Sequence, residues 1–103
     1  MKYMIDLADA FLALRTEEND GNINIVEGLL AAIPSYIETS TGIKDALKAS
    51  PNYPLLQTLA KFLLCLWYNP DGTDAVQLQV VVNNLLKTLK AMAPDINKNT
   101  EAS

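Results

Sequence analysis

Apolar residues recur along this chain at steps of three and four, the spacing of the buried face of an α-helix. In the first segment Leu7, Phe11 and Leu14 share one face with Ala10 beside them, which predicts a helix over about residues 7–15. Asp6 is placed to cap it, and Asp9 adds a first-turn acid that suits the helix dipole. Next, Ile23, Val26, Leu30, Ile33 and Ile37 form a continuous stripe, broadened by Leu29 and Tyr36, over about residues 23–41. Gly42 stands where a left-handed C-cap is wanted. Pro34 lies inside that stripe and removes the donor that would bond the Leu30 carbonyl, so a kink or a break is expected there. Residues 43–53 read as a connector with one or two helical turns in IKDALK.

The segment 54–68 opens on a proline suited to a first helical position and is apolar around most of its circumference. Leu55, Leu56, Leu59, Phe62, Leu63, Leu64, Leu66 and Trp67 cannot all face one neighbour. Such a helix is either the centre of the domain or is partly covered by other subunits. Asn69-Pro70-Asp71-Gly72 is a turn signal. A last helix over about 74–92, with Thr73 as its cap, carries the seam Ala75, Leu78, Val82, Leu85, Leu89, Met92, with Val81 and Leu86 alongside. Pro94 is expected to end it. No run alternates with period two, so the fold class is all-α: a four-helix domain over 1–93 with short connectors, then a flexible polar tail over 94–103.

Composition narrows the chemistry. The 103 residues suffice for one core, and half of them are apolar, which argues against disorder. The single cysteine, Cys65, excludes an intramolecular disulfide. The N-terminal stretch carries acids within its apolar pattern and does not read as a signal peptide, and no apolar run is long enough to span a bilayer. A soluble, intracellular protein is the expectation. Net charge is −4, unevenly placed: residues 1–38 hold seven acids against two bases, and the remainder six lysines against five acids. Neither part has the dense basic face that phosphate neutralisation needs, so sequence-specific nucleic-acid binding is disfavoured.

There is no histidine, which removes the commonest general base and the commonest transition-metal ligand. Cys65 sits among leucines with nothing in sequence to activate it. The carboxylate pairs Asp6/Asp9 and Glu17/Glu18 lack a neighbour that would split their pKa values. No glycine-rich phosphate loop is present. No catalytic residue, cofactor site or metal site is therefore assigned.

One stretch, TEENDGNINIVE over residues 16–27, has the outline of an EF-hand loop. With Gly21 at the sixth position, Asp20, Asn24 and Glu27 fall on ligand positions and Ile23 on the apolar eighth. The first position, which needs a carboxylate, is Thr16. Turn residues and a helix-start acid account for the same pattern. A linker is the better expectation, and Glu17, Glu18 and Asp20 then form an acidic segment suited to a basic neighbour. Trp67 and Tyr68 are either rim aromatics of the core or interface anchors.

The order of these features resembles the head-tail connector (adaptor, or head-completion) proteins of long-tailed bacteriophages and prophages. The resemblance covers about residues 5–92. It is carried by Leu14-Arg15 closing the first helix, the acidic run Glu17 to Asp20, and Ala31-Ala32, Tyr36-Ile37-Glu38 and Thr41-Gly42 along the second. Trp67-Tyr68-Asn69 ends the apolar third helix, and Leu85-Leu86-Lys87 lies in the last. The chain departs from that pattern at Pro34, at Ile43 and at Pro70-Asp71-Gly72, where the family often carries an unbroken helix or a basic residue.

The resemblance implies a virion structural subunit that is present in the host cytoplasm before assembly. It would form a homo-oligomeric ring under the portal protein at the neck and receive a tail-completion or stopper protein, with no cofactor and no membrane contact. Its candidate interface residues are Glu17, Glu18, Asp20, Tyr36, Trp67, Tyr68, Leu86, Lys87 and Lys90. The alternatives are a calcium-responsive, EF-hand-like binding module and a small helical regulatory partner protein.

Overall fold

The computed structural model describes residues 3–102. Five α-helices follow in order, α1 (Leu7–Leu14), α2 (Asp20–Thr41), α3 (Ala46–Ala49), α4 (Pro54–Tyr68) and α5 (Ala75–Ala102), with a 3₁₀ turn (Ser50–Asn52) between α3 and α4. No strand occurs among the described residues, so the chain is all-α. The fifth helix in the count is α3, a single turn within the connector, whose N-terminus is capped by the Asp45 side chain accepting from Lys48 N.

α4 is the centre of the domain. It packs against α1, α2 and α5, and buries Leu56, Leu59, Ala60, Leu63, Leu64 and Leu66. Its neighbours within the chain thus take up most of its excess apolar surface. α2 presents the expected stripe, Val26, Leu30, Ile33 and Ile37, to α4 and α5. Its start lies earlier than periodicity places it, because Asn19 caps it through Oδ1 accepting from Asn22 N at 3.0 Å. Its end is Gly42 at φ 85°, a left-handed conformation that disfavours a side chain. α2 runs through Pro34 without dividing in two. Burial of Ile33 and Ile37 on either side holds the helix where proline removes one bond.

The largest difference from the sequence expectation lies beyond Pro94. The sequence predicts a stop and a flexible tail over 94–103; instead α5 runs 28 residues to Ala102 with Pro94 inside it. At a rise of about 1.5 Å per residue the helix is about 40 Å long, matching the 39 Å long axis of the molecule. Tertiary contacts override the proline. Ile96 is fully buried and Ala93 nearly so. Asn97 donates from Nδ2 to the Gly42 carbonyl at 3.1 Å and accepts from Lys44 N at 2.7 Å. One amide thereby brackets Ile43, itself buried, and ties the end of α2 to α5. Asn99 Nδ2 reaches Tyr53 Oη at 3.0 Å, and Lys44 pairs with Glu101 at 2.9 Å across exposed surface.

Candidate functional site

The acidic segment is a short link between α1 and α2, tied at several points. Arg15 closes α1 in the left-handed region at φ 54°, and its N–H and that of Thr16 donate to the carbonyls of Leu12 and Phe11. Asn22 Nδ2 donates to the Glu17 carbonyl at 2.8 Å. The hydroxyls of Thr16 and Tyr68 lie 3.4 Å apart, which joins the link to the end of α4. The Thr16 N–H and the Glu17 carbonyl have partners, while the side chains of Glu17, Glu18 and Asp20 stand in solvent. The calcium-loop alternative meets a geometric obstacle. An EF-hand loop needs its twelve residues to wrap an ion, but from Asp20 onward this stretch is already helix, with Gly21 inside α2. Glu27, the intended bidentate ligand, instead accepts from Tyr3 Oη at 2.7 Å. No group of three or more metal-ligating side chains occurs among the described residues.

The aromatic candidates divide. Tyr36 and Trp67 meet edge to face, ring centroids 5.1 Å apart and planes at 88°, an arrangement favoured by the ring quadrupoles. Trp67 and Tyr68 are half-buried, whereas Tyr36 keeps an exposed edge. Sequence motifs thirty residues apart are thus brought together at the α2–α4 seam. Glu38, next in the same motif, accepts at Oε2 from Ala46 N at 3.0 Å and so helps to start α3. Thr41 Oγ1 donates to the Ile37 carbonyl at 2.7 Å and accepts from Ile43 N at 3.2 Å. Leu86 is half-buried on α5, and Lys87 and Lys90 project from its outer side. Neither lysine forms an ion pair among the described residues.

Two features lie outside the sequence expectation. Val81, expected beside the α5 seam, is exposed, and so are Val76 and Val80. Between α1, α4 and the start of α5 lies a half-open groove of about 670 Å³, floored by Leu14, Phe62, Cys65 and Leu78 and rimmed by Arg15 and Asp74. Neither was readable from period alone: the groove depends on how α1, α4 and the start of α5 come together, and the valines on how wide the buried stripe of α5 is. Cys65 faces this groove and donates weakly to the Ala13 carbonyl at 3.9 Å. Burial raises its thiol above the ordinary value, which makes it a poor nucleophile at neutral pH. What the surface offers is contact area and charge. No helix among the described residues is long and apolar enough to cross a membrane. Compared with protein-family models, curated proteins and solved structures, the chain has no match.

Proposed function

We propose that this chain is a structural, non-catalytic subunit of a phage or prophage head-tail connector. It assembles as a ring at the portal vertex, in the virion neck, and joins the portal protein to a tail-completion or stopper protein. The observation that carries this is where the resemblance-bearing residues stand. Tyr36, Glu38, Thr41, Gly42 and Trp67 all sit at joints: a ring pair, a helix-start cap, a hydroxyl bridge and a left-handed C-cap. Residues that specify how helices meet are those a shared helical plan would keep. The groove and the exposed side of α5 add surface for contacts of two kinds, as a subunit with unlike neighbours needs.

The test is a pull-down of the tagged chain on portal protein purified from the phage or prophage that encodes it. Retention that competes with untagged chain is expected. Absence of retention, with both proteins folded, removes the connector role.

A further inference from the structure

α5 buries Val82, Leu89, Ala93 and Ile96 and turns the opposite side to solvent. There Val76 and Val80 stand one turn apart, 78% and 55% exposed. Valine is a poor helix former and gains nothing from water, so neither propensity nor the core explains these two. Continuing along the same stripe come Lys87 and, beside it, Lys90, both exposed. No Asp or Glu occurs from residue 75 to residue 94. The outer face of α5 is therefore apolar at one end and basic at the other, over about 21 Å at the helical rise.

The α1–α2 corner offers the complement. Leu12 before the link and Ile25 after it are 75% and 56% exposed. Between them Glu17, Glu18 and Asp20 point into solvent without an ion pair among the described residues. Arg15 is the single base in that corner. Two lysines are too few to hold a nucleic-acid backbone, whereas they match the charge of three exposed carboxylates close in sequence between the exposed Leu12 and Ile25.

We infer that the Val76–Val80–Lys87–Lys90 face of α5 docks on the Leu12–Glu17–Glu18–Asp20–Ile25 corner of a second copy of this chain. The occupant is fixed by charge complementarity carried on one molecule. Because the two faces differ, a contacting pair leaves one face of each kind free, one on each copy, and the contact is head-to-tail. This rests on the ring reading above, for which it names the subunit contact.

Sedimentation velocity of the full chain, from micromolar to millimolar and at low and high salt, tests it. Salt-sensitive association is expected. Val80→Ser with Lys87→Glu, and separately Glu18→Lys, each weaken it by about tenfold or more. Lys87→Glu combined with Glu18→Lys in one chain restores much of the loss. On a Cys65→Ser background, Val80→Cys mixed with Ile25→Cys forms an interchain disulfide, checked against each variant alone. Glu18, Ile25, Val80 and Lys87 are exposed and Cys65 is half-buried, and circular dichroism confirms the fold of each variant. A monomer throughout with no mixed disulfide overturns the contact, as does association indifferent to these changes. Association of the expected pattern without retention on portal keeps this contact and removes the connector role; retention on portal by a chain lacking the contact does the reverse.

Discussion

Replacing Ile96 by alanine probes the packing of the chain beyond Pro94. Ile96 is 0% exposed, on the face of α5 turned to α2 and α3. Truncating a fully buried isoleucine to alanine costs about 2–5 kcal/mol, from lost transfer energy and the cavity left behind. Helix propensity moves the other way by a few tenths of a kcal/mol. A net cost of about 3 kcal/mol is expected. For a domain near this size each kcal/mol shifts the midpoint by about 4–8 °C, so Tm falls by roughly 12–24 °C. Stability of a domain is about 5–15 kcal/mol, so the loss is a large fraction of it. Urea denaturation followed by far-ultraviolet circular dichroism gives the value directly. Asn97→Ala provides an independent check, because it strips both the Gly42 carbonyl and the Lys44 N–H of their partner. Water reaches this site, so its cost is smaller, about 1–2 kcal/mol. A change under about 0.5 kcal/mol for Ile96→Ala is the size of an ordinary surface substitution. That result would show a mobile tail and refute the packed end of α5.

The remaining expectations are narrower. Gly42→Ala, forced into φ 85°, destabilises by about 1–2 kcal/mol in the same denaturation assay. A double-mutant cycle on Tyr36→Leu and Trp67→Leu returns a coupling of about 0.5–1.5 kcal/mol, and a value near zero removes the ring contact. Cys65 alkylation by iodoacetamide is slower than that of a free thiol at pH 8, because burial raises its pKa and suppresses the thiolate. By the same sign, Cys65 leaves stability unchanged near neutral pH and lowers it as pH rises through the ordinary thiol range, where the unfolded chain ionises first. Calorimetry with millimolar calcium gives no heat of binding, since residues 20–27 are helical before any ion arrives.

Periodicity identified the inward faces well. Val26, Leu30, Ile33 and Ile37 are buried as their spacing implied, and Gly42 and Pro54 mark the helix ends that their backbone chemistry favours. These are local signals, set by residues within a turn or two of one another. What escaped the sequence depends on long-range partners. Pro94 is a sound local reason to stop a helix, but Ile96 is buried and Asn97 finds its partners some fifty residues earlier, at Gly42 and Lys44. Val81 read as an extension of the α5 seam because period alone does not tell how wide the buried stripe is. Among the candidate interface residues, Tyr36 and Trp67 were each legible as amphipathic aromatics. That they touch, with Trp67 half-buried and Tyr36 keeping an exposed edge, was not. The acids at 17, 18 and 20 were legible as surface. That Asn22 holds the Glu17 carbonyl and Tyr68 meets Thr16 beside them was not, since no local pattern announces either contact.

Electron microscopy of purified portal rings, with and without this chain, tests the connector role most directly. An added layer of density beneath the portal is expected, with the symmetry of a closed ring and a continuous axial channel. Portal rings unchanged at saturating concentrations of the folded chain would contradict it.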